Sequence, residues 1–257
     1  MKKIILLILC ALILPMNVCF AGNNNYKKEV KRTGYKYNVN GYIKAVQDDH
    51  LKAFTLFLHS TININSQDKY GFTPLIMASI QNNLPFATRL VEQGANVNLK
   101  TDVGNTALHY AAMNENMDMA KLLVQNGANV NSVNMYGDSP LKNVVYAQKE
   151  DMASYLISVG ANIDLQNNKG NTPTYYAAQN GNASILKNLI AHDADINIKN
   201  NLGETPLFTA CQNGQTQTVL VLLANKADKK IQNNEGLYPL DIALKYNHAD
   251  IVNILSK

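Results

Sequence analysis

GFTPLIMAS at residues 71–79, GNTALHYAA at 104–112, GDSPLKNVV at 137–145, GNTPTYYAA at 170–178 and GETPLFTAC at 203–211 decide the fold. Each run opens 33 residues after the one before it, and Gly236 continues the series in register. Two residues past each glycine stands a helix-start pair: Thr73-Pro74, Thr106-Ala107, Ser139-Pro140, Thr172-Pro173, Thr205-Pro206 and Tyr238-Pro239. A Thr or Ser hydroxyl accepts from the first free amides of a helix, and Pro in the first helical position loses nothing by lacking an amide. Small pairs follow (Ala111-Ala112, Ala177-Ala178, Ala210-Cys211), where neighbouring units must approach closely. A second apolar segment then closes in Gly94-Ala95, Gly127-Ala128 or Gly160-Ala161, the glycine able to take the left-handed conformation that stops a helix. A fixed period of this length is the mark of a stacked repeat.

These runs, each followed by a hairpin turn and usually by GANVN or a variant, resemble ankyrin repeats over about residues 35–257. The resemblance implies an all-α repeat solenoid, a stack of about seven helix-turn-helix units with β-hairpin-like loops. Residues 35–67 read as an N-terminal capping repeat, 68–232 as five full repeats and 233–257 as a C-terminal capping repeat. A short helical hairpin cannot bury its apolar face alone, so each unit depends on its neighbours. Leu75, Leu108, Leu141, Leu207 and Leu240 are expected to form one apolar spine. Leu90, Leu123, Leu156, Leu189 and Leu222 should form a second, extended by Phe57. The recurring Asn65, Asn98, Asn131, Asp164 and Asn197 suit turns in which short polar side chains bond local backbone amides where no sheet supplies partners. Asp193 and Lys226 stand where other units have the helix-stopping glycine. The 137–166 unit departs most, with Val144-Val145 for the small pair and Lys142 where its predecessor has His109.

Ahead of the repeats, Lys2-Lys3, the uncharged apolar run Ile4 to Leu14 and Cys19-Phe20-Ala21 follow the order of a secretory signal peptide, spanning residues 1–21 with cleavage after Ala21. Retention as an anchor is the alternative, although a bilayer crossing needs about 20 apolar residues. Lipid attachment at Cys19 is another, against which stands the bulky Val18. Residues 22–34 read as a basic flexible linker. The formal charge of +4 divides accordingly. Without Lys2 and Lys3 it is +2, residues 22–36 carry +4 of that, and the rest carries −2. A weakly acidic body is a poor match for polyphosphate, which speaks against nucleic acid as partner. Cys211 is the one cysteine beyond the signal segment and reads as a small buried residue, with a reactive thiol as the sharper alternative.

No metalloprotease, phosphate-loop, nucleophile-elbow or nucleotide signature occurs, so the chain is expected to be no enzyme and to need no cofactor or metal. His50, His59, His109, His192 and His248 show no ligand spacing. By resemblance, His109 should bond the Thr106 hydroxyl or a neighbouring loop, and partner contacts should come from residues flanking the tip glycine and from the inner-helix ends. Carried over, this set holds Tyr70, Phe72, Val103, Met135 and Tyr136 at the tips, with Ile80, Met113 and Tyr146 on the inner helices. Exposed aromatic and sulfur side chains on one face are the material of binding hot spots, although single apolar surface residues are common. The expectation is a monomeric protein-interaction scaffold, periplasmic or secreted. An envelope or stress-protection accessory and an enzyme with a non-standard site are the alternatives.

Overall fold

The computed structural model describes residues 23–257, so the signal segment, its cleavage point and Cys10 and Cys19 lie outside the described residues. Fifteen helices and no strand occur among the described residues. The first, α1 (Asn23–Arg32), precedes seven hairpins. These are α2 (Val39–Gln47) with α3 (Leu51–Leu58), α4 (Pro74–Ile80) with α5 (Leu84–Glu92), α6 (Ala107–Met113) with α7 (Met117–Gln125), and α8 (Pro140–Tyr146) with α9 (Glu150–Ser158). The series continues with α10 (Pro173–Gln179) and α11 (Ala183–Ala191), α12 (Pro206–Gln212) and α13 (Thr216–Ala224), then α14 (Pro239–Lys245) and α15 (Ala249–Leu255). Each helix packs chiefly on its own hairpin partner and on the equivalent helix of the adjoining hairpins, which is a linear stack.

Helices of seven residues are marginal alone, so caps and packing have to hold them. The Thr73, Ser139 and Thr172 hydroxyls accept from the amides of Ile76, Lys142 and Tyr175 at 3.1–3.2 Å. In α6 the His109 ring takes part in the cap instead, accepting the Thr106 amide at Nδ1 (3.1 Å) and lying 2.9 Å from the Thr106 hydroxyl. Both spines form. Leu75, Leu108, Leu141 and Leu207 are essentially fully buried, as are Leu90, Leu123, Leu156, Leu189, Leu222 and Phe57. Thr174 interrupts the first spine with a buried hydroxyl that has no partner, and Leu240 in the last hairpin is half-buried. Cys211 is fully buried and burial pushes its thiol up to about 12, which fits the packing role and not a reactive one.

The loops between hairpins are hairpin-like, each closed by two backbone bonds such as Thr101 N–H to Asn105 O at 2.9 Å and Gly104 N–H to Thr101 O at 2.7 Å. A further bond reaches the next loop: the Tyr70, Val103, Tyr136, Lys169 and Leu202 carbonyls accept from Asp102, Met135, Asn168, Asn201 and Asn234. One expectation needs correction. Residues 23–32, expected as flexible linker, are helical. Val30 anchors α1 by complete burial, and the Tyr37 ring stacks on Phe57 just beyond it. Tyr26 and Val30, four apart, form its apolar face, but one such pair among charged residues is too short a run to establish a helical period in the sequence.

The asparagine excess is structural. Asn65, Asn98, Asn131, Asp164 and Asn197 each accept, at 2.7–3.2 Å, the backbone amide of residue 96, 129, 162, 195 or 228 in the next unit. Those acceptor residues are themselves fixed by a neighbouring side chain, as Asn98 N–H is by Asn96 Oδ1 at 2.9 Å. The side chain of one unit thus sets the loop of the following one.

Gly94, Gly127 and Gly160 end their outer helices at φ of +84° to +88°, and Asp193 and Lys226 are held at +66° in the same place. A Cβ at the three glycines would meet open space, so the side chain gains nothing there. Lys226 therefore carries backbone strain without packing in return. Lys226→Gly is expected to raise the unfolding free energy by about 1 kcal/mol, read from the urea midpoint. An unchanged midpoint would show that this turn holds lysine without strain.

Candidate functional site

The bonded loops bring the tip residues of successive units side by side. Tyr70, Val103, Met135 and Tyr136 are between 41% and 61% exposed, and Met113 and Tyr146 at the ends of α6 and α8 lie in the same range. Phe72 and Ile80 differ: both are half-buried against the core, Phe72 with its ring 6.2 Å from Tyr110. They support the surface more than they present it. Leu202, at the fifth tip, is 62% exposed, an isolated apolar tip separated from the first three by Lys169 at the fourth.

Tyr136 and Tyr146 join across a cleft of about 840 Å³ that runs over the third to fifth full repeats, reaching Lys169, Gln179 and Leu202. Its floor was not foreseen. Lys142, one 33-residue period after His109, turns its ammonium into a buried ion pair with Asp138, Nζ to Oδ2 2.8 Å, both side chains little exposed. The same ammonium lies 5.1 Å from the Tyr146 ring centroid and 4.6 Å from that of Tyr176, and the two rings meet edge to face at 5.5 Å. Asp138 Oδ1 accepts from Asn167 Nδ2 at 2.8 Å, and the Tyr176 hydroxyl accepts from Asn167 and Asn171. Lysine, carboxylate, amide and phenol form one connected network that fixes the aromatic wall. The signal in the sequence was the Asp138–Lys142 spacing of four on a helix start, in a unit whose neighbours carry neutral pairs there.

Beside Lys142, the Tyr175 hydroxyl donates to Glu204 at 3.2 Å, and burial, with the carboxylate near it, pushes that phenol up to about 12. Across the unit boundary His109 Nε2 lies 3.2 Å from the Asp138 carbonyl. Since Nδ1 accepts an amide proton, Nε2 carries the ring's hydrogen and the imidazole is neutral. Burial lowers its pKa from 6.5 to about 4. The expected Thr106 bond is present, with the loop contact in addition.

Among the described residues no three His, Cys, Asp or Glu side chains gather as a metal set, and no helix is long and apolar enough to cross a membrane. A family model described as ankyrin repeats (three copies) matches residues 42–134, 129–200 and 175–257. No curated protein matches the chain.

Proposed function

Since the chain belongs to the ankyrin-repeat family, whose repeats generally mediate protein–protein interaction, we propose that it is a scaffold acting outside the cytoplasm and binding a protein partner along its tips and cleft. The observation that carries this reading is the line of exposed Tyr70, Val103, Met113, Met135, Tyr136 and Tyr146 continuing into the cleft wall. Large side chains held rigidly and in contact with solvent lose little entropy on binding and bury much area, which is the composition of interface anchors. The tips are fixed by loop-to-loop backbone bonds, and Tyr146 by the Lys142 ammonium and the Tyr176 ring edge. Such a surface meets a partner without first having to order itself.

A scaffold and not an enzyme is the reading supported by how the ionisable groups of the cleft are occupied. Asp138 is bound to Lys142 and Asn167, and Glu204 to Tyr175 and Asn200. The groups beside them are held in structural roles: the Lys142 ammonium lies between the Tyr146 and Tyr176 rings, and the Tyr175 phenol, which burial pushes up to about 12, donates to Glu204. Action outside the cytoplasm, in a periplasm or in the medium, rests on the signal-type order of residues 1–21. Fractionating cells that express the chain with and without residues 1–21 tests it: both forms in the cytoplasm would end that part of the proposal.

The binding face is tested by Tyr70→Ala combined with Tyr136→Ala. Both side chains project into solvent, so folding should be unaffected. Recovery of native partners from envelope or medium is expected to fall at least about tenfold. Undiminished recovery would move the contact surface elsewhere.

A further inference from the structure

On the floor of the cleft over the third to fifth full repeats, the hydrogen-bond acceptors are already occupied. Asp138 Oδ2 accepts from Lys142 and Oδ1 from Asn167. Asn167 Oδ1 accepts the Lys169 and Asn171 amides, Asn171 Oδ1 the Asn200 side chain, and Asn200 Oδ1 the Leu202 and Glu204 amides. The Asn168 and Asn201 side chains belong to the ladder of loops, each Nδ2 donating to a carbonyl of the preceding loop at 2.9 Å. Their Oδ1 atoms lie against Gly137 and Gly170, within 2.6 Å of where a Cβ would stand.

Donors are in the opposite condition. The Tyr176 hydroxyl oxygen receives two side-chain amide hydrogens, from Asn167 at 3.0 Å and Asn171 at 3.2 Å. The phenol's own hydrogen therefore remains, and no group among the described residues accepts it. Tyr176 is buried and lines the cleft, so this hydrogen is left for whatever fills the cleft. Lys169 is exposed at the edge and forms no ion pair among the described residues. Charge does not choose an anion, because Lys142 and Lys169 are matched by Asp138 and by Glu204, which is bonded to Tyr175 and Asn200 of the lining. Apolar surface is supplied by Tyr136 and Tyr146, both more than half exposed, with Tyr146 set edge to face on Tyr176.

An occupant that answers this surface is neutral, carries carbonyl acceptors and flat apolar groups, and brings no hydrogens that need acceptors. A run of prolines has that chemistry: each residue keeps its carbonyl, none has an N–H, and the rings pack on aromatic side chains. Its extended helix is ordered beforehand, so little entropy is lost on docking. A glycan would pack on the same rings, but each of its hydroxyls brings a hydrogen to a floor whose acceptors are taken. The N–H groups of an ordinary extended peptide meet the same obstacle.

We propose that the cleft walled by Tyr136, Tyr146 and Tyr176 receives a proline-rich segment of the protein partner, whose carbonyls accept from Tyr176 and Lys169. This rests on the reading of tips and cleft as a partner surface, and gives that partner a chemistry.

Titration of the isotope-labelled full chain with decaproline, followed by amide magnetic resonance, is the test, with a Gly-Ser decamer and chitohexaose as the other two probes. Decaproline is expected to saturate with a dissociation constant below about 1 mM, and to shift signals of the third to fifth full repeats, the Gln179 side-chain amide among them. Tyr146→Ala removes an exposed ring, so the circular dichroism spectrum should stay as it is while the dissociation constant rises at least about tenfold. Tyr176→Phe keeps the ring and withdraws the donor, and is expected to weaken decaproline binding about fivefold. No saturation by decaproline, equal or tighter binding of either other probe, shifts outside these repeats, or indifference to Tyr146→Ala would each overturn the proposal. If Tyr70→Ala with Tyr136→Ala abolishes partner recovery while decaproline fails to bind, the partner surface stands and the proline assignment alone falls.

Discussion

Lys142→Met lowers the unfolding free energy by about 3–5 kcal/mol, whereas Lys142→Met together with Asp138→Asn lies within about 1 kcal/mol of the starting protein. The asymmetry follows from where the pair sits. Both side chains are little exposed, and the Asp138 carboxylate depends on the ammonium 2.8 Å away, with one further bond from Asn167. Removing the lysine leaves a charge in a poorly solvated site. Removing both charges leaves an amide oxygen that still accepts from Asn167 and a flexible apolar chain beneath Tyr146 and Tyr176. The same two positions in the first full repeat hold Phe72 and Ile76, so the fold accommodates an uncharged pair there. Urea denaturation of the two variants decides the matter. If the double variant is as unstable as the single one, the pair contributes net stability; a small loss in the single variant would mean that water reaches Asp138.

Acid removes about 3 kcal/mol of stability through His109 alone. Its folded pKa is near 4 against 6.5 for the free ring, with burial as the main cause and the nearby Asp138 carbonyl a weaker opposing one. Below 6.5 the unfolded chain binds a proton that the folded chain refuses, so stability falls as pH drops from 6.5 toward 4 and this contribution is then exhausted. The magnitude is the shift expressed as free energy. His109→Phe, which copies Phe208 at the same position three units further on, abolishes this dependence while losing the cap bond to the Thr106 amide. Urea midpoints for both proteins at pH 7, 5.5 and 4.5 are the measurement. Parallel curves would mean that the ring is protonated in the folded state.

The repeat spacing was legible because it recurs in covalent terms: glycine, cap, leucine and alanine return at fixed intervals, and each return is an independent observation. The two leucine spines followed from it, whereas the Asn and Asp acceptors, expected to bond local amides, reach the backbone of the next unit. What stayed hidden depends on a single occurrence. Asn23–Arg32 has a single i, i+4 pair, Tyr26 and Val30, set among charges that read as a solvated linker, and one pair does not make a period. Lys142 looked like the loss of a histidine, and its gain, a carboxylate one helical turn back, becomes visible only when both groups are seen to be buried. Nothing in the sequence singles out Tyr176, which forms part of the cleft wall beside Lys142. Among the expected contact residues, exposure separated six that project from Phe72 and Ile80, which a tip position and an inner-helix position could not distinguish in one dimension.

Among the described residues every helix of the array packs chiefly on its hairpin partner and on the adjoining hairpins, elements close to it in the chain. Such low contact order allows rapid acquisition of structure, because little loop-closure entropy is spent before packing begins. A polypeptide emerging in extended form from a pore could thus assemble hairpin upon hairpin as it appears, each completed unit offering its Asn or Asp acceptor to the backbone of the next. Nascent hairpins would be exposed for the time needed to release some thirty further residues, and not until the whole chain is through.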